Sequence, residues 1–245
     1  MAYENIIFGK EAGVATITIN RPQVKNAISP QAAAEIDGVL DMVSGDDEVK
    51  VVVITGGTEM FCSGMDIKAG FGRGWRRDSN LITMVHGMES FEKPLIAAIA
   101  GYCLGGGLEL ALVCDLRICT DKSMFGFPEI NMGVMPGAGG ALRLPRLIGP
   151  GWAKELLFSG DRITAQDAYR MGIVNKVVPS ESLLAETNKI ATNMATKSLM
   201  SLKKIKAVVN WGLQMDISSA VQFETQVRAA LSASRPPAPP PPPKS

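Results

Sequence analysis

Two short runs, Val51–Thr55 and Leu95–Ala100, are apolar or β-branched at every position, and each ends on glycine, Gly56-Gly57 after the first and Gly101 after the second. A strand with one wet face alternates polar and apolar side chains. One that does not alternate is buried on both faces, as in a parallel sheet covered by helices. A glycine run, Gly105-Gly106-Gly107, then leads into an apolar helical pattern, Leu108–Cys114, and Asp115–Thr120 is the next candidate strand. The order strand, glycine turn, helix, strand predicts an α/β fold. It also sets two glycine-rich turns where backbone N–H groups can point at a ligand.

The flanking segments fit this plan. Gly13–Asn20 has the composition and alternation of a strand, and Asn20-Arg21-Pro22 ends it because proline cannot donate to a ladder. Ser29 is a candidate N-cap, Pro30 fits a first helical turn, and a helix is expected to about Val43. After Pro136 the pattern turns helical. Thr164-Ala165-Gln166-Asp167 is an N-cap signature with Gly172 as its stop, and Ser182–Asn210 and Ile217–Leu231 are further helical stretches. The character changes from mixed to helical near Asn193. The expected division is a core over 1–192, a helical region over 193–235, and a tail over 236–245. Prolines fill seven of the tail's ten positions, so it is expected to be extended and disordered.

Composition excludes several functions. The net charge is +1, so no global field recruits nucleic acid or an anionic membrane. No apolar run approaches the roughly 20 residues of a membrane span, and Met1–Gly9 carries Glu4 and lacks a basic, then apolar, leader pattern. A cytoplasmic protein is expected. Cys62, Cys103, Cys114 and Cys119 form no C-x-x-C pair and are read as buried free thiols. His86 is the single histidine, which leaves a zinc site without enough nitrogen and sulfur ligands, and no G-x-S-x-G elbow supports a serine triad.

Several motifs recur in a fixed order: Asn20-Arg21-Pro22 with Asn26-Ala27, the turn Ser63-Gly64-Met65-Asp66-Ile67, the run Gly105–Ala111, Pro128-Glu129, and Pro136-Gly137-Ala138-Gly139-Gly140. Each alone is weak. As an ordered set, over about Val14–Val178, they resemble the enoyl-CoA hydratase/isomerase (crotonase) family. The resemblance implies a crotonase-like spiral of ββα repeats with a C-terminal helical region used in trimerisation. It also implies a coenzyme A thioester substrate, with coenzyme A entering as part of the substrate and no permanently bound cofactor, and a homotrimer or dimer of trimers.

The chemistry agrees with those residues. Adding water to an α,β-unsaturated thioester puts negative charge on the thioester oxygen, and aimed backbone N–H groups stabilise it. The resemblance assigns these donors to Met65 and Gly106. A backbone donor leaves the Met65 side chain free to be apolar, and Gly106 admits the carbonyl without a Cβ and opens a helix, where the macrodipole favours negative charge. Glu109 and Glu129 match the family's acid/base pair: Glu129 as proton donor to the α-carbon, Glu109 on the water, with the N–H of Gly137 helping to hold that water. Two carboxyls sharing one water should keep one protonated near neutral pH. Lys25 and Lys68 are basic groups available to the coenzyme phosphates, and Ser63, Asp66 and Ile67 of the matched turn are expected to border the substrate. Gly70–Gly87 corresponds to the segment over the acyl pocket. There Trp75, Met84 and Met88 either line the acyl chain or pack in the core. The C-terminus departs from the family pattern: Phe223-Glu224-Thr225 runs on through Gln226 to Ser234, then Arg235 and proline. Hydration or dehydration is the leading expectation; a Δ3-Δ2 enoyl-CoA isomerase and a non-catalytic coenzyme A-binding scaffold are the alternatives.

Overall fold

The structure, a computed structural model, describes residues 3–70 and 81–234; Trp75 and the proline-rich tail lie outside the described residues. The chain divides into two compact units, Met1–Thr196 and Lys197–Ser245.

The first unit is built on a six-stranded sheet in the order β1-β2-β3-β4-β6-β9, formed by β1 (Ile6–Glu11), β2 (Val14–Ile19), β3 (Val51–Thr55), β4 (Leu95–Ile99), β6 (Leu116–Thr120) and β9 (Lys176–Val178). The β1–β2 pair is antiparallel and the others are parallel, with Val53 opposite Ile96 and Ile96 opposite Leu116. Every residue of β3 and β4 is buried, as the absence of alternation requires. On one face, Ala33, Ile36 and Leu40 of α1 (Pro30–Ser44) and Met84 and Met88 of α3 (Leu81–Met88) pack with Ile17, Val52 and Ile54. On the other, Leu183, Ala191 and Ala195 of α8 (Leu183–Ala195) cover Val14, Val51, Val53 and Ile96.

A second, three-stranded sheet has the order β5-β7-β8, from β5 (Tyr102–Leu104), β7 (Met124–Gly126) and β8 (Arg162–Thr164). The spiral follows from this pairing of sheets: β4, β5 and α4 (Gly106–Val113) make one turn, and β6, β7 and α5 (Gly140–Ile148) the next. The remaining helices of this unit are α2 (Ile67–Gly70), α6 (Pro150–Ser159) and α7 (Ala165–Met171).

Local signals account for the boundaries. Ser29 Oγ accepts from the N–H of Ala32 at 3.1 Å ahead of Pro30. Thr164 and Asp167 form a reciprocal capping box on α7, and Gly172, in the left-handed region, ends it. Strand β1 was not anticipated. It is an edge strand with one buried residue, joined to β2 through Ala12 and Gly13, both at positive φ.

The second unit contains α9 (Leu199–Gly212) and α10 (Ile217–Ala233), capped by Ser198 and Asp216. The helical stretch read from Ser182 to Asn210 is thus two helices, α8 and α9, separated at Thr196–Ser198. No helix among the described residues is long and apolar enough to cross a membrane.

Candidate active site

After β3 the chain doubles back. Asn26 holds this reversal, its Nδ2 donating to the carbonyls of Gly56 (3.1 Å) and Met60 (2.7 Å). The next residues run beside β5: Cys62 N donates to Tyr102 O at 3.0 Å, and Leu104 N to Cys62 O at 3.1 Å. This short ladder brings the Ser63–Met65 turn against Leu104–Gly106. A Cβ built on Gly106 would lie 3.3 Å from the Met65 nitrogen, so the two N–H groups are neighbours. Neither donates to an acceptor among the described residues. Gly105, at φ 51° and ψ −124°, supplies a conformation open to glycine and starts α4, whose N-terminal dipole points at the same place.

The Asn20–Ala27 segment braces the turn from behind. Arg21 Nη1 lies 2.9 Å from Asp66 Oδ2 and donates to Ala27 O at 2.5 Å. Ile28 N donates to Gly64 O and Asp66 N to Ile28 O, at 2.8 and 2.9 Å, which fixes the residues on either side of Met65. Burial works to raise the Asp66 pKa, but the hydrogen bonds from Arg21 and the Ala69 N–H outweigh it and hold the carboxyl below its ordinary value. Ser63 bonds back to the same segment, N–H to Lys25 O at 3.1 Å and Oγ to Val24 O at 3.4 Å. Ser63 and Asp66, expected at the substrate, therefore have their polar groups engaged in shaping the turn. Lys25 is exposed on the Asn20–Ala27 segment, and Ile67 and Lys68 are exposed just after the turn that it braces.

The two glutamates reach the site from different elements. Glu109, on α4, is 2% exposed, and its Oε1 accepts from the N–H groups of Ala138 (2.7 Å) and Gly140 (2.8 Å). Burial raises its pKa, opposed by those two N–H groups and by the charges of Arg143 and His86. Glu129 sits in a 3-10 turn, Pro128–Met132, just after β7. Its Oε1 lies 2.5 Å from where a Cβ on Gly105 would be, so the carboxyl occupies the space this glycine leaves. Oε2 is buried with no hydrogen-bond partner among the described residues. Burial, reinforced by the negative charge of Glu109 and opposed by its own backbone N–H, pushes the Glu129 carboxyl up to about 7. Two neighbouring carboxyls with raised pKa values beside a pair of free N–H donors can divide a proton between a water and a carbon while an oxyanion forms.

The structure adds other details. Gly137 is exposed, and the N–H groups that meet Glu109 belong to Ala138 and Gly140. Met84 and Met88 are 2% and 1% exposed and belong to the core, so of the two readings left open for them, packing is the one observed. The sequence reading missed Leu81 and Ile82. The Leu81 Cδ2 would be 2.2 Å from a Cβ on Gly106, and the Ile82 Cδ1 3.4 Å from one on Gly137, so the start of α3 roofs both glycine turns. Their apolar, helix-like spacing was visible, but nothing local says which turn a roof will cover.

The enoyl-CoA hydratase/isomerase family model matches residues 9–235. A crotonyl-CoA hydratase of Syntrophomonas wolfei is 43% identical over 235 residues, 91% of this chain and 88% of that protein. A short-chain-enoyl-CoA hydratase of Clostridium acetobutylicum is 38% identical over 92% of this chain and 88% of its own length. Among solved structures, an enoyl-CoA hydratase subunit of Geobacillus kaustophilus superposes with a TM-score of 0.90 at 38% identity, covering 95% of this chain and 91% of that one. An enoyl-CoA hydratase of Bacillus anthracis gives 0.91 at 34% identity, covering 95% and 92%. Similarity of this extent, on a fold and a pair of glycine turns that already pointed the same way, places the chain in the enoyl-CoA hydratase/isomerase family.

Proposed function

We propose that the protein adds water to a 2-enoyl-CoA, and removes it from the 3-hydroxyacyl-CoA in reverse, through a thioester enolate. The observation that carries this reading is the convergence of Glu109 and Glu129 beside the unpartnered N–H groups of Met65 and Gly106. In the forward direction the Glu109 carboxylate takes a proton from water as its oxygen bonds to C3. The π electrons move onto the thioester oxygen, which Met65 N–H and Gly106 N–H receive, each donor worth about 3 kcal/mol. The protonated Glu129 then gives its proton to C2 and the thioester carbonyl re-forms. Glu109 ends protonated and Glu129 ionised, and proton exchange through water resets the pair. Each positioned carboxyl contributes about 10²–10⁴-fold.

An isomerase of this fold needs one carboxyl to move a proton between carbons; the presence of two supports hydration over that alternative. Lys25 and Lys68 are proposed to meet the coenzyme phosphates, and Leu81 and Ile82 to cover the acyl end. The α9–α10 unit exposes Ile205, Trp211, Leu213 and Ile217, at 62%, 54%, 84% and 79%. Apolar surface of this kind supports assembly through the helical region, as a homotrimer or dimer of trimers. Four free, buried cysteines suit a reducing compartment and support a cytoplasmic setting.

The test is the loss of conjugated-thioester absorbance when the protein meets crotonyl-CoA and longer enoyl-CoAs. Hydration by the wild type, lost in both Glu109→Gln and Glu129→Gln, is expected. Isomerisation of a 3-enoyl-CoA that survives one of these substitutions points instead to the isomerase, and coenzyme A binding without turnover to the scaffold.

A further inference from the structure

Arg143 occupies a place that the hydration steps do not use directly. It lies in the first turn of α5, with its side chain 16% exposed. Its Nη1 donates to Ala138 O at 2.6 Å, its backbone N donates to Gly139 O at 2.8 Å, and its Nη2 lies 2.6 Å from Glu89 Oε1. The opposite side of the same three residues holds Glu109, through the N–H groups of Ala138 and Gly140. Segment 138–140 is thus clamped between a guanidinium and a carboxylate. Gly139 makes the clamp possible: it sits at φ 93°, and a Cβ there would fall on the Arg143 guanidinium.

We infer that Arg143 is a positioning residue for Glu109: it fixes the peptide segment whose two N–H groups hold the carboxylate, and keeps a positive charge beside it. The inference rests on the hydratase reading, in which Glu109 must be ionised to accept a proton from water. A carboxylate 2% exposed remains ionised only if its surroundings replace the lost hydration. Two donors on one oxygen do part of this, and they stay aimed only while the segment is held. The titratable and charged groups that act on Glu109 are Arg143 from α5, His86 from α3 and Glu129 from the turn after β7; Glu89, after α3, faces Arg143. Arginine suits the position because its fork reaches Ala138 O and Glu89 together, which a lysine cannot do with the same geometry.

The test compares Arg143→Gln and Arg143→Lys with wild type in two measurements. The first is the pH profile of crotonyl-CoA hydration. Glutamine removes the charge, so the acidic limb of kcat/KM should move to higher pH, with kcat down about 10- to 100-fold and KM little changed because the guanidinium is engaged with Ala138 O and Glu89. Lysine keeps the charge and loses the fork, so the limb should stay near its wild-type position while kcat still falls. The second is the titration of the Glu109 side-chain carboxyl by ¹³C NMR, assigned by its disappearance in Glu109→Gln. It should move to higher pH in Arg143→Gln, and it needs no turnover. A folded Arg143→Gln with wild-type limb and wild-type titration overturns the inference. If Arg143→Gln fails to fold, Arg143→Lys with unchanged kcat overturns it. A wild type that hydrates no enoyl-CoA defeats the functional reading, and the titration then still decides whether Arg143 governs Glu109.

Discussion

Replacing Glu129 with glutamine should make the protein more stable at alkaline pH while abolishing its activity. The folded chain raises this carboxyl from 4.5 to about 7, by burial and by the nearby Glu109 charge. Below pH 4.5 the group is protonated whether the chain is folded or not, and it then behaves much as glutamine does. Between 4.5 and 7 the unfolded chain ionises while the folded one holds its proton, so wild-type stability declines by about 1.4 kcal/mol for each pH unit. Above 7 both states are ionised and the cost is complete, at about 3 kcal/mol; water entering the cleft screens part of it, so about 2 is the working figure. Glutamine has no such slope. Urea unfolding of wild type and Glu129→Gln from pH 4.5 to 8.5, at one protein concentration because assembly adds to stability, should show their difference growing by about 2–3 kcal/mol in favour of the variant. Hydration by the same variant should be at least about 100-fold lower. A pH-independent difference, or a variant that becomes relatively less stable as pH rises, refutes the burial argument.

The pH profile of hydration should be bell-shaped: activity rises as Glu109 ionises, above the ordinary carboxylate value because burial raises its pKa, and falls as Glu129 loses its proton near 7. Initial rates across pH 4 to 9 check both limbs. Gly106→Ala places a methyl 2.2 Å from Leu81 Cδ2 and close to the Met65 nitrogen, so kcat should fall by about 10²–10³-fold with little loss of secondary structure by circular dichroism. Asp66→Asn weakens the ion pair with Arg21 behind the Met65 turn; kcat should drop with KM nearly constant in steady-state assays, and the fold should persist.

The buried strands were legible because burial on two faces erases alternation: β3 was read at its observed limits and β4 to within a residue of its end. Capping chemistry made α1 and α7 legible at their starts. The short strands β5, β7, β8 and β9 were not, since three residues carry no period and their pairing depends on contacts far along the chain. The same reasoning separates the site residues. Glu109 stood out as a charge in an otherwise apolar helix, and Glu129 through its place in the ordered motifs. Arg143 did not: on a helix rich in arginine and leucine, nothing local marks the arginine that turns inward to a backbone carbonyl. Nor did Leu81, whose place over Gly106 is set by the spiral.

The two carboxyls are chemically identical, and what supports different roles for them is their surroundings. Burial raises both pKa values. For Glu109 four groups oppose the rise: the N–H groups of Gly140 and Ala138, and the charges of Arg143 and His86. For Glu129 only its own backbone N–H opposes, while the negative charge of Glu109 adds to the rise, and one oxygen is left buried without a partner. That asymmetry supports the proposed division, with the shared proton on Glu129 and Glu109 as the group that takes one from water. The assignment of base and acid thus depends on the 138–140 segment as much as on either glutamate. If that segment were released, the donors that favour an ionised Glu109 would go with it, and the pair would lose the asymmetry on which the proposed roles rest.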